Sequence, residues 1–178
     1  MTRINLDTSK VPAKSQETLS QIHAAFGVTP NMFAAVANSP VALQSMWSFF
    51  GTLGGGRLNK KLAEKIAVAI ANRNQCEYCL AAHTALGKAA GVSADDMAAA
   101  QIGQSADLQT QAALAFALTV VANRAQVSDA DFTLLRNADF DDGQIAELMS
   151  HIALNVFTNY INIAFDVPVD FPKISLVR

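Results

Sequence analysis

Residues 64–83 read EKIAVAIANRNQCEYCLAAH, and the rest of the chain is organised around this stretch. It holds both cysteines of the protein, Cys76 and Cys79, in the spacing C-x-x-C. His83 follows the second cysteine by four residues, and Glu64 precedes the first by twelve. The apolar residues after Glu64 cover most of the circumference of a helix, which indicates a helix buried on several sides. The sequence therefore predicts four chemically active side chains set against a buried helix.

The spacing of these four side chains favours thiol chemistry. Polar residues at positions 72–75 interrupt the apolar pattern, so a new helix is predicted to begin near Cys76. Cysteines in a first helical turn meet the positive end of the helix dipole, which favours the thiolate. The i,i+3 spacing brings Cys76 and Cys79 within reach of a disulfide, and the i,i+4 spacing places His83 beside Cys79 as its base. Glu64 is predicted to orient the imidazole of His83.

The remainder of the chain predicts an all-α fold. A length of 178 residues fits one domain over residues 1–178, with a sizeable core. Apolar residues recur at helical spacing, and no segment alternates β-branched with polar residues as a strand would. Capping patterns predict helix starts at Ser93, Ser128 and Asp141. Residues 1–14 are predicted to be an extended arm, and residues 166–178 an irregular tail that contains two prolines.

A spacing of residues that occurs twice in the chain suggests an internal duplication. Asn72, Cys76 and Cys79 follow Glu64 by eight, twelve and fifteen residues. Asn155, Asn159 and Asn162 follow Glu147, in a later helical stretch, by the same three intervals. The match is typical either of two pseudo-equivalent helical halves or of two amphipathic helices that agree by chance.

The composition of the chain indicates which classes of binding partner to expect. The net charge is −2 and no basic block is present, which argues against nucleic acid or an anionic membrane as partner. No apolar run reaches the roughly 18 to 20 residues that a spanning helix needs. The N-terminus lacks the apolar core of a signal peptide, so a cytoplasmic protein is expected. A hydrophobic fraction of 51% with only 16% charged residues predicts a homo-oligomer.

The last long helix carries further candidates for the site. Asn155, Asn159 and Asn162 form a polar stripe on an apolar helix, and buried amides need partners. These side chains are expected either to line the pocket or to bond across a subunit interface. His151 is the histidine expected to lie nearest the site if the two halves pack face to face. Alternatively, His151 has a structural role.

The combined pattern resembles a known family. Glu, eleven residues, C-x-x-C, three residues and His is similar to the alkyl hydroperoxidase D-like branch of the carboxymuconolactone decarboxylase superfamily. The late segment NVFTNYINIAFDVP (residues 155–168) looks like that of its peroxidase-related members. The resemblance implies an AhpD-like helical bundle assembled into trimers, dimers or hexamers. It also implies a thiol peroxidase that uses no haem or flavin.

The family pattern also assigns roles to the four residues. By resemblance, Cys79 attacks a hydroperoxide substrate and becomes a sulfenic acid, with His83 as its base. Cys76 then forms a Cys76–Cys79 disulfide and receives electrons from a dithiol reductant, a lipoyl- or thioredoxin-like protein. Glu64 begins the proton relay.

Position 78 departs from the best-known members, which have a histidine before the second cysteine. Here it is Tyr78, whose phenol titrates near pH 10 and does not readily shuttle protons at neutral pH. Either water bridges Glu64 and His83, or the relay is shorter.

Other chemistries stay open at this point. A general dithiol/disulfide oxidoreductase or a redox sensor would use the same pair of cysteines. A zinc site could take Cys76, Cys79 and His83 with Glu64 or water, although structural zinc sites usually draw a second pair of ligands from elsewhere. Decarboxylase or lactone chemistry, as in the branch of the superfamily without these thiols, is less compatible with a retained cysteine pair.

Overall fold

The computed structural model describes residues 2–177, and within them it has nine α-helices and no strand, which confirms the all-α prediction. The helices are α1 (Ala13–Phe26), α2 (Asn31–Val36), α3 (Pro40–Gly54), α4 (Lys60–Arg73), α5 (Glu77–Ala89), α6 (Ala94–Gln101), α7 (Leu108–Ala122), α8 (Asp129–Asn137) and α9 (Asp142–Phe165). None of the helices in this part of the chain is long and apolar enough to cross a membrane.

Side-chain caps set several helix starts where the sequence predicts them. Ser128 and Asp141 each form a full capping box at the start of α8 and α9. Ser93 accepts a hydrogen bond from the backbone N–H of Asp96 at the start of α6. Each cap supplies an acceptor for a backbone N–H that has no partner inside its own helix.

The predicted extended arm is wrong in part. Residues Thr8–Lys10 form a 3-10 turn, because Asp7 accepts hydrogen bonds from the backbone and the hydroxyl of Ser9. Helix α1 then begins at Ala13, inside the segment predicted to be extended. Met1 of the arm and Arg178 of the predicted tail lie outside the described residues.

Helix α4 lies at the centre of the bundle. It packs against α5, α6, α7 and α9. Its side chains Ile66, Val68 and Ile70 are fully buried although they point in different directions around the helix. This agrees with the predicted burial on several sides, since only a central helix can use apolar residues around most of its circumference.

A tight corner joins α4 to α5 and brings the cysteines into the core. The chain leaves α4 at Asn74, and Gln75 has a left-handed backbone with φ 57°. The N–H of Cys76 then bonds to the carbonyl oxygen of Ala71 at 2.9 Å. Cys76 is therefore the N-cap of α5, one position before the first helical residue.

Helix α9 does not repeat this corner. It runs without a break for 24 residues. This helix includes the positions that the repeated spacing aligns with the α4–α5 corner and with the cysteines. The proposed duplication stays a prediction.

Residues 166–177 have no regular secondary structure, but they pack back against the bundle. The carboxylate of Asp170 accepts a hydrogen bond from the N–H of Asn31 at 2.7 Å, at the start of α2. The N–H of Val177 bonds to the side chain of Asn72 at 2.9 Å. The tail thereby covers the end of the bundle that carries the α4–α5 corner.

Candidate active site

Cys76 and Cys79 are joined by a disulfide at the start of α5. Their Cα atoms lie 5.4 Å apart, within the ordinary range for such a bridge. Both side chains are buried, with 1% and 2% of their surface exposed. The Sγ of Cys76 also accepts a hydrogen bond from the N–H of Cys79 at 3.3 Å. The sulfurs therefore occupy the first turn of a helix, where backbone N–H groups favour a thiolate once the bond is reduced.

Glu64 and His83 contact each other directly. The distance from Oε2 of Glu64 to Nδ1 of His83 is 2.8 Å, and each side chain is about one-seventh exposed. An ionised carboxylate only accepts hydrogen bonds, so Nδ1 carries the donated proton. Nε2 is then the ring nitrogen left to exchange protons. The two side chains are in direct contact, so no water needs to bridge them.

Asn162 reaches the sulfur of Cys79 from α9. Its side-chain amide nitrogen lies 3.2 Å from Sγ of Cys79 and 3.3 Å from Sδ of Met32. The residue is 3% exposed, and its Oδ1 is buried without a hydrogen-bond partner. The amide is thus placed to donate to the sulfur of Cys79.

The other two asparagines of the stripe have different partners. The Oδ1 of Asn159 accepts a hydrogen bond from the side chain of Asn74 at 3.0 Å, which ties α9 to the α4–α5 corner. The Nδ2 of Asn155 donates to the backbone oxygen of His151 at 2.9 Å, and Asn155 lines a cavity beside Glu64. Only Asn162 touches a cysteine.

Tyr78 is buried, and its contacts hold neighbouring segments together. Its phenolic oxygen accepts a hydrogen bond from the N–H of Met32 at 3.2 Å, and its ring packs edge-on against Phe171 with centroids 5.7 Å apart. Burial raises the pKa of the Tyr78 phenol, and the negative charge and hydrogen bond of Asp170 raise it further. The phenol therefore stays protonated at neutral pH, and it joins the tail to α2 and α5.

Cys79 and Cys76 line different cavities. Cys79 lines a small apolar cavity of about 40 Å³, whose wall also contains His83 and the aromatic side chains Phe26, Phe33, Phe50, Tyr78 and Phe171. Cys76 lines a separate cavity of about 210 Å³, with Gln75, Glu77 and Val169 among its walls. The two sulfurs of one disulfide are consequently approached from two directions.

His151 lies on the far side of the Glu64–His83 pair. It shares a cavity of about 240 Å³ with both residues and with Asn155. Burial lowers the pKa of His151, and the positive charge of His83 acts in the same direction, whereas Glu64 and Glu147 oppose them. The structure thus brings His151 close to the site, where the sequence expected it if the two halves packed face to face.

Several lining residues could not be found from the sequence. Phe33 and Met32 lie on the short helix α2, and Phe171 lies in the tail, far from the C-x-x-C stretch. The prolines before α2 and around Phe171 indicate chain turns, but no sequence pattern shows that both segments converge on Cys79. Their position depends on long-range packing.

The side chains of the zinc alternative are bonded to one another in pairs. Among residues 2–177, no group of three or more His, Cys, Asp or Glu side chains is arranged to hold a metal ion. Cys76 and Cys79 are bonded to each other, and His83 is bonded to Glu64.

Comparison with known proteins places this geometry in a family context. Residues 40–123 match the model of the Carboxymuconolactone decarboxylase family, a range that includes the four residues of the quartet Glu64, Cys76, Cys79 and His83. No curated protein matches the chain.

Solved structures share the fold over nearly the whole chain. An uncharacterized peroxidase-related protein from Silicibacter sp. TM1040 is 24% identical, with a TM-score of 0.83 over 94% of this chain and 91% of its own. An uncharacterized peroxidase-related protein with an alkylhydroperoxidase AhpD core, from Ralstonia eutropha JMP134, is 24% identical, with a TM-score of 0.84 over 95% and 92%. The C82A variant of the debrominase Bmp8, in complex with 2,3,4-tribromopyrrole, is 20% identical, with a TM-score of 0.77 over 89% and 86%.

Proposed function

We propose that this chain, which matches the Carboxymuconolactone decarboxylase family model over residues 40–123, is an AhpD-like, thiol-dependent peroxidase that reduces organic hydroperoxides. One observation carries the proposal. Cys79 forms a disulfide with Cys76, and it lines an apolar cavity whose wall also contains His83, the proposed base. The direct bond between His83 and Glu64 supports the assignment of His83 as that base.

The first chemical step uses the reduced protein. His83 takes the thiol proton of Cys79, and the thiolate attacks the terminal oxygen of the hydroperoxide ROOH. The O–O bond breaks, the sulfur becomes a sulfenic acid, and the leaving alkoxide receives the proton from His83 to form ROH. The carboxylate of Glu64 stabilises the imidazolium during this step, and the amide of Asn162 donates to the thiolate.

The second step restores the disulfide. The thiol of Cys76 attacks the sulfenic acid of Cys79, which forms the S–S bond and releases water. A dithiol reductant then reduces this disulfide and becomes a disulfide itself. The sum is ROOH plus dithiol giving ROH, water and the oxidised donor, so no other redox cofactor is required.

The burial of the sulfurs favours a slender reductant. Cys76 is only 1% exposed, and its cavity of about 210 Å³ fits a small dithiol arm better than the surface of a folded protein. We therefore expect a lipoyl-type dithiol to be a better donor than a thioredoxin-like protein. The same burial disfavours a general reductase of protein disulfides.

The apolar cavity indicates the class of peroxide. Five aromatic side chains and Met32 surround the space beside Cys79. Such walls bind alkyl or aryl groups and offer hydrogen peroxide few polar partners. Organic hydroperoxides are the proposed substrates.

The proposed assembly is a homo-oligomer. Helix α9 exposes three large side chains at three-residue spacing, Phe157 at 39%, Tyr160 at 61% and Ile163 at 44%. Apolar groups in such a row support a subunit contact. Light scattering on the wild type and on Tyr160→Glu checks this, and an unchanged monomer in both would contradict it.

The decisive experiment measures hydroperoxide consumption with dihydrolipoamide or thioredoxin as donor. Cys79→Ser is expected to abolish turnover, and Cys76→Ser to leave a sulfenic acid that dimedone traps on Cys79. Equal consumption by wild type and Cys79→Ser would overturn the peroxidase proposal.

A second candidate function is reductive dehalogenation. The aromatic walls beside Cys79 and the structural similarity to a debrominase favour it. Its balance is aryl bromide plus dithiol giving arene, HBr and disulfide. Release of bromide from a brominated pyrrole by the reduced wild type, and not by Cys79→Ser, would support this candidate.

A further inference from the structure

A second cavity of about 240 Å³ lies behind the Glu64–His83 pair. Its walls come from α3, α4, α5 and α9 and include Glu64, His83, His151 and Asn155. His83 lines both this cavity and the apolar one that contains Cys79. The imidazole therefore lies between an apolar chamber at the sulfur of Cys79 and a second chamber that contains neither cysteine but has several polar side chains in its walls.

Two polar atoms in the walls of this chamber lack partners. Nε2 of His151 and Oδ1 of Asn155 are buried and make no hydrogen bond. Asn155 is only 5% exposed. Buried polar atoms of this kind are ordinarily satisfied by ordered water, and a chamber of this size holds several molecules at roughly 30 Å³ each. The chamber thus presents unpartnered polar atoms to water and is large enough for a short chain of it.

The groups around His151 are mostly charged or titratable. Glu64 approaches from α4, His83 from α5 and Glu147 from its own helix, while the exposed Lys60 lies on the rim of the chamber. Burial lowers the pKa of His151, so its imidazole is neutral at pH 7. A neutral imidazole has one nitrogen that accepts a proton and one that donates, which suits it to pass protons in either direction.

The proposed reaction requires such a path. His83 passes the thiol proton of Cys79 to the alkoxide and is itself left unchanged by that step. When the dithiol donor attacks Cys76 and the disulfide breaks, Cys79 leaves as a thiolate, and the Cys79–His83 pair must then regain one proton before the next turnover. The dithiol donor releases its protons in the cavity of Cys76, on the other side of the disulfide. The apolar cavity beside Cys79 is assigned to the substrate, and its mainly apolar walls offer few polar partners for a chain of water.

We propose that His151 is a positioning residue that passes protons between solvent and the Glu64–His83 pair, through water held in the second cavity. This inference rests on the proposed peroxidase function. In this proposal the apolar cavity beside Cys79 binds the substrate, and the second cavity conducts protons. It also gives this chain a second histidine for the relay, on α9, whereas position 78 holds a tyrosine that stays protonated.

The first test is kinetic and uses His151→Ala with its near-isosteric partner His151→Gln. Both are expected to lower kcat for an organic hydroperoxide about tenfold at pH 7 with KM unchanged, less than the ~100-fold or more of a direct general acid. Added imidazole is expected to restore His151→Ala, because it fits the enlarged cavity. The matched control is His23→Ala, an exposed histidine of α1. Wild-type kcat and pH profile in both His151 variants would overturn the inference and leave the peroxidase proposal intact.

The second test does not depend on turnover. In protein with 15N-labelled histidine, the exchange of the Nδ1 proton of His83 with solvent is measured by NMR. We expect this exchange to be about tenfold slower in His151→Gln than in wild type, in step with the expected loss of kcat, and unchanged in His23→Ala. Equal exchange in wild type and His151→Gln would overturn the relay. A wild type that consumes no hydroperoxide would overturn the proposed function, whatever the exchange rates.

Discussion

The side-chain amide of Asn162 donates a hydrogen bond to the sulfur of Cys79 across 3.2 Å, although 83 residues separate them in the chain. The donor comes from the last turn of α9, and the acceptor from the first turn of α5. A donor fixed by helix packing stabilises a thiolate without having to reorganise when the charge forms. This contact adds a fifth side chain to the Glu64, Cys76, Cys79 and His83 quartet.

Asn162→Ala is expected to lower the reactivity of reduced Cys79. A hydrogen bond to a charged group contributes about 1.5–3 kcal/mol, so the rate of alkylation by iodoacetamide at pH 7 should fall about tenfold or more. The matched control is Asn159→Ala, a buried asparagine of the same helix that bonds to Asn74 instead of to sulfur. If both variants alkylate at the wild-type rate, Asn162 does not stabilise the thiolate.

Glu64→Gln should cost most of the activity while preserving the fold. An amide oxygen still accepts the Nδ1 proton of His83, but the charge that stabilises the imidazolium is gone. Peroxide turnover is expected to fall about 100-fold, with KM little changed. Glu17→Gln, an exposed glutamate of α1, serves as the control. Wild-type kcat in Glu64→Gln would remove Glu64 from the relay.

Tyr78→Phe is expected to lower stability more than activity. The change leaves the buried N–H of Met32 without its acceptor and takes a hydrogen bond from Asp170. An unpaired buried group costs about 1–3 kcal/mol, which urea denaturation measures. Activity per folded molecule should be retained, because a phenol with a raised pKa keeps its proton at neutral pH and does not pass it on. A variant that is stable but inactive would instead place Tyr78 in the relay.

The pH dependence of stability should carry a contribution from His151. Its pKa is lowered in the folded protein below the ordinary value of 6.5, mainly by burial, so the unfolded chain binds a proton that the folded one resists. Stability is therefore expected to fall as pH drops through about 6.5, with no such loss above it. Urea denaturation at pH 7.5 and 5.5 should show a smaller loss for His151→Gln than for the wild type. Equal losses would contradict this.

Ala82→Leu should narrow the choice of substrate. Ala82 lines the apolar cavity of about 40 Å³ beside Cys79, and the three added carbons would fill it. Turnover of a bulky hydroperoxide such as cumene hydroperoxide is expected to fall much more than turnover of hydrogen peroxide. Ala89→Leu, at an exposed position of α5, is the control. An equal loss for both peroxides would show that this cavity does not bind the organic group.

Helix periodicity and end signals predict the helices well, because both are local. Proline and glycine lie at the ends of α1 to α3, and the capping boxes of α8 and α9 begin where the sequence predicts them. Helix α7 has no such end signal in its apolar run; it ends at Ala122, and Ala125 has a positive φ of 63°. An apolar run by itself did not show where the backbone turns.

The sequence alone determined which side chains of α5 share a face. Residues three and four apart on one helix are neighbours whatever the rest of the fold does. The spacing of Cys76, Cys79 and His83 therefore predicts that they lie on one face. It also indicated Glu64, on the adjoining helix, because the short α4–α5 corner keeps the two helices in contact.

Only the tertiary structure decided what surrounds this quartet. The 2.8 Å contact of Glu64 with His83, the amide of Asn162 at Cys79, and the tail residue Phe171 over Tyr78 all depend on how distant helices pack. That packing is driven by the burial of apolar surface, which is non-directional and leaves no short-range pattern in the chain. The reactive groups are therefore readable from local spacing, whereas the partners that tune them follow from the shape of the whole core.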